Sequence, residues 1–143
     1  MKLSPAGDTV RLAAAAAECG ADGLTLVNTM PAMSIDVHTR KPRLSRGRGG
    51  LSGPAIHPIA VRIVHDVHRS VAKQAGIPII GLGGAIAWQD AAEFVLAGAT
   101  AVGMGTMLFA DPWAPEGVVR GLESWVRAQG VRDIAELVGA LEP

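Results

Sequence analysis

The sequence predicts an α/β fold built on parallel strands, and three observations carry this prediction. Short apolar strands alternate with helical stretches, which is the pattern of consecutive strand–helix units. Residues 76–81 form a strand too apolar to have a wet face, as expected for a parallel strand buried on both sides. Four such units in 143 residues are about half of the roughly 250 residues of an eight-unit barrel. We therefore predict about four βα units forming the C-terminal half of a (β/α)8 TIM-type barrel.

The first half of the chain contains two of these strands. A strand stub over residues 1–4 begins where a barrel strand should end, so we expect the N-terminal half of the barrel to be absent. Asp8 is placed to cap a helix over residues 9–19, which Gly20 ends. A second strand follows over residues 22–28. The next segment, 29–55, has no helical periodicity, and loops of this length in compact domains are usually functional.

The second half repeats the pattern. A helix over residues 58–74 places four apolar side chains on one face, namely Ile59, Ile63, Val67 and Val71. The third strand, 76–81, is followed by a helix over 90–97, and the fourth strand covers 99–104. Two further helices are predicted, 116–128 and 132–141. No linker divides the chain, so residues 1–143 are predicted to be a single domain. A small, complete α/β sandwich with its own strand order is the alternative, because a half-barrel leaves two open edges.

The composition excludes several classes of function. A content of 49% hydrophobic and 18% charged residues is typical of a folded globular chain. Thirteen basic and thirteen acidic residues cancel, so no overall field favours nucleic acid or an anionic membrane. No apolar run approaches the roughly 20 residues of a membrane helix. One cysteine and no signal peptide indicate a cytoplasmic protein without an internal disulfide.

Two glycine turns follow the last two strands. In (β/α)8 barrels the loops after these strands commonly bind phosphate, together with a short extra helix. Glycine lets the backbone approach closely, and free N–H groups bind an anion without side-chain charge. Gly83-Gly84 and Gly105-Thr106 occupy these two places, although each can also be an ordinary tight turn.

Polar side chains at two strand ends are further candidates. Lys2 can hold a negative charge, such as the N1–C2 oxygen region of a reduced flavin, or it is a solvated lysine near a chain end. Asn28, with Thr29, offers an amide suited to an imide or pyrimidine edge, or it is a turn former.

Three other features indicate no chemistry of their own. The basic cluster is interpreted as a solvated loop, with an anionic ligand or partner subunit as the alternative; it comprises Arg40, Lys41, Arg43, Arg46 and Arg48. His65 and His68 are three apart on a helix but lack partner ligands, so no metal site is predicted. Cys19 is expected to be a buried structural thiol on the side away from the glycine turns.

A set of motifs spread over nearly the whole chain carries a family resemblance. The specific run is Thr39-Arg40-Lys41-Pro42 followed by Gly49-Gly50-Leu51-Ser52-Gly53-Pro54-Ala55-Ile56. Met33-Ser34-Ile35-Asp36-Val37, Lys2-Leu3-Ser4-Pro5, Asn28-Thr29, Gly83-Gly84 and Gly105-Thr106 extend it. On these motifs the chain resembles the C-terminal half of the class 1B dihydroorotate dehydrogenase catalytic subunit.

The resemblance implies a reaction and a set of contacts. It implies an oxidoreductase of pyrimidine biosynthesis that converts dihydroorotate to orotate, passes hydride to FMN, and sends electrons through an iron–sulfur flavoprotein subunit to NAD. It assigns FMN contacts to Lys2, Val27, Gly53, Gly83, Gly84, Gly105 and Thr106. It assigns binding of the orotate ring to Asn28 and Thr29.

The chain also departs from the family pattern. The family's catalytic base is a cysteine upstream of the first residue, and Cys19 does not match it, so no catalytic residue is assigned here and the fragment alone is expected to be inactive. His57 stands where a lysine is usual, and the helix after Pro58 is longer than usual. A dihydropyrimidine dehydrogenase-like FMN reductase and a non-catalytic flavin-binding half-barrel are the alternatives. The latter would close with a second copy, as a homo-oligomer, or with the missing half.

Overall fold

The computed structural model describes residues 1–142. Within that range eight strands occur: β1 Lys2–Leu3, β2 Leu24–Leu26, β3 Met30–Ala32, β4 Ile35–Asp36, β5 Lys41–Pro42, β6 Gly49–Leu51, β7 Ile79–Leu82 and β8 Ala101–Gly103. The α-helices are α1 Thr9–Glu18, α2 His57–Val67, α3 Lys73–Ala75, α4 Trp88–Ala97, α5 Met107–Ala110 and α6 Ala114–Gln129. A π-helical turn, His68–Ala72, joins α2 to α3.

Four of the strands form one parallel sheet in the order β1-β2-β7-β8. Each strand is followed by helical structure, and the sheet is that of a partial (β/α)8 barrel. The predicted α/β fold class is confirmed. All four strands end at the same edge, so the segments that follow them converge there.

The helices cover only one face of this sheet. Leu26, Gly81 and Val102 lie side by side in the register, and Leu26 is fully buried towards the helices. The next row faces the other way, because successive residues of a strand alternate. Ile80 belongs to that second row and is 43% exposed. The expectation that this strand has no wet face is therefore wrong, because no described helix covers the second face.

The core lies between the sheet and α1, α2 and α4. Its largest fully buried side chains are Phe94, Leu24, Leu26, Ile79, Val64 and Val67. The predicted apolar face of the 58–74 helix is confirmed: Ile63 and Val67 are buried, and Ile59 of α2 and Val71 of the π-helical turn pack against the core. Burial of these side chains holds the helices on the sheet, at about 25 cal/mol per Å² of apolar surface.

Two sequence expectations about the helices need correction. Residues 132–141 do not form a helix; a single 3₁₀ turn, Ile134–Leu137, stands there. Beyond it Gly139 adopts a left-handed φ of 70° and donates its N–H to the carbonyl of Val95, so the segment folds back on α4. Cys19 is exposed rather than buried, because it is the C-cap of α1 and projects beyond the helix.

The long segment between β2 and α2 is made of two small antiparallel pairs. β3 pairs with β6, and β4 pairs with β5. The turn between β4 and β5 is closed by Asp36, whose Oδ1 accepts from the N–H groups of His38 and Thr39. Those two bonds hold the pKa of the Asp36 carboxyl below its usual range. The segment has no α-helix, as predicted, although a 3₁₀ turn, Pro54–Ile56, ends it. Its five predicted basic side chains are exposed.

Candidate cofactor-binding site

A cavity of about 430 Å³ lies at the carboxyl ends of the parallel strands. Its volume is in the range of small-molecule sites. The segments after β2, β7 and β8 line it, together with β1 and the loop before α2. All nine residues singled out from the sequence line this cavity: Lys2, Val27, Asn28, Thr29, Gly53, Gly83, Gly84, Gly105 and Thr106. The structure thus brings the whole predicted set together, and their binding roles stay predictions.

The Gly83-Gly84 turn packs its backbone directly against the loop before α2. Gly83 and Gly84 have φ values of 152° and 71°. A Cβ on Gly84 would lie 2.5 Å from the carbonyl oxygen of Gly53. A Cβ on Gly83 would lie 2.7 Å from that of Ala60. Only glycine allows the two loops to meet this closely, and their contact shapes one wall of the cavity.

Several N–H groups of the glycine turns are free. The backbone N–H groups of Gly84, Gly105 and Thr106 donate to no protein acceptor within residues 1–142. At Gly105 a Cβ would meet nothing within 4 Å, and φ is not in the left-handed region. The protein fold therefore does not require glycine there, and the space is open to a ligand. Free N–H groups around open space suit an oxyanion such as a phosphate.

The strand-end polar residues form the opposite part of the lining. Asn28 is exposed, and its Oδ1 accepts from the Thr29 N–H at 2.8 Å. Its amide NH₂ is therefore turned away from that bond and free to donate. Gly50 of β6 packs against the Thr29 side chain so closely that a Cβ would overlap its hydroxyl. Thr29 is thus positioned by the β3–β6 pair.

Lys2 supplies the positive charge of the lining. It lies in β1, in the row of the open sheet face, beside Thr25 of β2. It makes no ion pair with any of the residues that the structure describes. Its ammonium group is free to meet an anionic ligand.

Sequence reasoning missed the rest of the lining, which is apolar except for Ser52. These residues are Ser52, Pro54, Ile56, Leu82, Ala85, Ile86, Met107 and Ala110. Each is near a glycine turn in the chain, and that proximity was the available signal. Met107 and Ala110 belong to the short helix α5, which was not predicted because four residues show no periodicity. Apolar surface of this kind accommodates a flat ring system.

Sequence comparison decides the family. The family described as "Dihydroorotate dehydrogenase" matches residues 1–126. The chain belongs to the dihydroorotate dehydrogenase family. The resemblance noted on the sequence motifs is thereby confirmed.

Relatives within this family are similar along nearly the whole chain. The "Dihydroorotate dehydrogenase B (NAD(+)), catalytic subunit" of Trichlorobacter lovleyi is 47% identical over 143 residues, which are 99% of this chain and 46% of the relative. That of Geotalea daltonii is 48% identical with the same coverage. The "Putative dihydroorotate dehydrogenase A (fumarate)" of Aquifex aeolicus is 47% identical over 97% of this chain and 45% of the relative's length. The chain thus spans a little under half the length of these relatives.

Two further findings concern the described residues. None of the helices within residues 1–142 combines the length and apolarity needed to cross a membrane. In the same range, no three side chains of the metal-ligating types come together.

Proposed function

We propose that this chain forms the part of a dihydroorotate dehydrogenase that holds the FMN phosphate and the orotate ring. The observation that carries the proposal is the convergence of the nine predicted residues on one cavity. Membership of the dihydroorotate dehydrogenase family supports the same reaction. We further propose that residues 1–143 act as one domain, the C-terminal half of the barrel.

The residues present fit FMN. Gly84, Gly105 and Thr106 offer free N–H groups for its phosphate, and a Cβ on Gly53 would meet nothing within 4 Å, so a ligand has room to approach the backbone there. Val27 is buried and would support the ring system. Bound FMN would supply a hydride acceptor for C6 of dihydroorotate. Lys2 would stabilise negative charge developing on the reduced ring.

Asn28 and Thr29 would orient the substrate. An imide edge carries alternating donors and acceptors, and the free NH₂ of Asn28 can donate to a ring carbonyl. The Thr29 hydroxyl can donate or accept. Correct placement of the substrate relative to the hydride acceptor contributes to rate by reducing the entropy lost at reaction.

The base that removes the C5 proton is proposed to come from outside these residues. Cys19, the single cysteine of the sequence, ends α1, which runs back from the carboxyl ends of the strands. It lies at the opposite end of the sheet from the cavity and is not in the lining. Loss of a general base commonly lowers a rate by a hundredfold to ten-thousandfold. We therefore propose that the 143-residue chain binds its ligands but does not turn over dihydroorotate.

We propose the electron acceptor from the names of the relatives. "B (NAD(+)), catalytic subunit" names a catalytic subunit, which fits a separate iron–sulfur flavoprotein subunit that passes electrons to NAD. We propose this route, in agreement with the Thr39–Pro42 and Gly49–Ile56 motifs. The fumarate named for the Aquifex aeolicus relative is the alternative acceptor. A cytoplasmic location stays a prediction.

A titration with orotate tests the substrate assignment. The chain is loaded with FMN, and orotate is added while the flavin absorbance spectrum is recorded. We expect a saturable spectral change, with an orotate affinity that falls at least about tenfold in Asn28→Ala, since a hydrogen bond to the ring is lost. Ser124→Ala, on α6, is the matched control and should leave the change intact. An unchanged orotate affinity in Asn28→Ala would remove this residue from the substrate site.

A further inference from the structure

The inference concerns His57, the first residue of α2, which lies behind the Gly83-Gly84 turn. It is 8% exposed and does not line the cavity. Its Nδ1 lies 3.0 Å from the carbonyl oxygen of Gly83. A carbonyl oxygen only accepts hydrogen bonds, so Nδ1 carries the hydrogen and donates. His57 thereby holds the Gly83 carbonyl on the side away from the cavity.

That bond also fixes the N–H of Gly84. In a trans peptide the C=O of one residue and the N–H of the next point in opposite directions. Within residues 1–142 the bond between Leu26 and Val27 alone is cis, so the Gly83–Gly84 peptide is trans. With the carbonyl on His57, the Gly84 N–H points away from His57. Gly84 lines the cavity, and its N–H has no protein acceptor among the described residues.

The turn needs such a restraint because of its composition. Two consecutive glycines have wide conformational freedom, and their shared peptide can rotate unless a partner holds it. No other hydrogen bond to the Gly83 carbonyl or from the Gly84 N–H occurs in the described part of the chain. Besides the packing of the two glycines against Gly53 and Ala60, the His57 imidazole is therefore the one hydrogen-bonding restraint on this peptide within the described residues.

The imidazole also packs against α4. Its Nε2 lies 3.3 Å from Oε2 of Glu93 and 3.8 Å from Oδ1 of Asp90, but it makes no hydrogen bond to either within residues 1–142. The ring of Phe94 meets it edge-on, with centroids 5.0 Å apart. Asp90 is already occupied, because its Oδ2 accepts from the N–H groups of Ile86 and Ala87. The edge contact with Phe94 restricts the plane of the ring, and the bond from Nδ1 to the Gly83 carbonyl fixes which edge faces the turn.

We propose that His57 is a positioning residue that orients the Gly83–Gly84 peptide so that its N–H binds a phosphate monoester in the cavity. The proposal rests on the proposed function in taking FMN as that monoester. His57 acts through the glycine turn and does not touch the ligand. It determines selectivity for a phosphorylated flavin over the same ring without phosphate.

Two isosteric variants test the role. In His57→Asn the side-chain NH₂ occupies the place of Nδ1 and can still donate to Gly83. In His57→Gln the side-chain NH₂ lies at the place of Nε2, so it cannot donate to the Gly83 carbonyl. Dissociation constants for FMN and for riboflavin are measured by flavin fluorescence. We expect His57→Gln to weaken FMN binding at least about tenfold and to leave riboflavin binding unchanged. We expect His57→Asn to retain most of the FMN affinity.

Other results contradict the proposal. If both variants weaken FMN binding and riboflavin binding equally, His57 has only a structural role. If neither variant changes the ratio of the two dissociation constants, the turn is held without it. Either result overturns the positioning role.

A measurement without flavin separates this proposal from the proposed function. The ¹⁵N shifts of the imidazole report whether Nδ1 is protonated, and inorganic phosphate is titrated while the Gly84 amide signal is followed. We expect a protonated Nδ1 and a phosphate-dependent Gly84 shift that His57→Gln abolishes. An unprotonated Nδ1 overturns the proposal. If both results hold but FMN does not bind, the positioning role stands and the proposed function fails.

Discussion

Gly84 and Gly105 both line the cavity, but the chain constrains them differently. Gly84 has a left-handed φ and touches the Gly53 carbonyl, so the fold itself requires glycine. Gly105 has neither constraint, and its missing side chain leaves open space. Substitution at the two positions therefore separates a requirement of the fold from a requirement of the ligand.

We expect Gly84→Ala to destabilise the protein by about 2–5 kcal/mol. A left-handed conformation costs a non-glycine residue about 1–2 kcal/mol, and the clash with Gly53 and His57 costs about 1–3 more. Gly105→Ala is the matched control and should change stability by less than about 0.5 kcal/mol. The free energy of unfolding in urea is measured for both variants. Equal stability of the two variants would show that the close contact between the loops is not formed.

His68 makes stability depend on pH. Burial, followed by the charges of Lys73 and His65, lowers the pKa of its imidazole from 6.5. The folded state therefore favours neutral His68 more than the unfolded state does. The contribution of His68 to stability is therefore fully present above pH 6.5 and is lost as pH drops below that value, where the unfolded chain binds a proton first.

The variant His68→Gln should be less sensitive to mild acid than the wild type. The measurement is the free energy of unfolding in urea between about pH 7.5 and pH 5. His65→Gln, on the same helical run, is the control and should retain most of the slope. A wild-type slope that persists in His68→Gln would assign the pH dependence to another group.

At the scale of elements, α6 packs against α4, and Gly121 lies at a close approach between them. A Cβ on Gly121 would overlap the indole of Trp88 at the start of α4. Gly117, one turn earlier in α6, has nothing within 4 Å of such an atom. The same chemical change in one helix thus meets two environments.

We expect opposite effects of alanine at these two positions. Gly117→Ala should stabilise by about 0.5–1 kcal/mol, because alanine has the higher helix propensity. Gly121→Ala gains the same propensity but loses about 1–3 kcal/mol to overpacking against Trp88. Thermal unfolding of both variants is the measurement. Stabilisation by Gly121→Ala would mean that α6 does not pack on α4 as described.

The elements also show which features a sequence can reveal. The helix over Thr9–Glu18 follows from a capping aspartate and a glycine stop, which are local signals. The pairs β3–β6 and β4–β5 have two or three residues per strand, too few to show alternation. The fold-back at Gly139 depends on acceptors in α4, distant in sequence, so a helix was predicted there in error.

At the scale of the whole molecule, the cavity was easier to predict than the surface. Glycine turns and polar residues at the ends of parallel strands meet at one edge of the sheet, so seven of the nine lining residues could be found from the sequence pattern, whereas Val27 and Gly53 were assigned by the family resemblance. The exposure of Ile80 could not be predicted from the sequence, because it depends on what covers the second face of the sheet. That face presents Thr25, Ile80 and Ala101 together with the edge strands β1 and β8.

The most direct test of the central claim is a flavin titration of the 143-residue chain. The dissociation constants of FMN and riboflavin are compared in the wild type and in Gly105→Ala. The account predicts that FMN binds at least about tenfold more tightly than riboflavin, and that a methyl group in the open space at Gly105 removes most of this difference without loss of stability. Equal affinities for FMN and riboflavin in the wild type, or no binding of either, would contradict it.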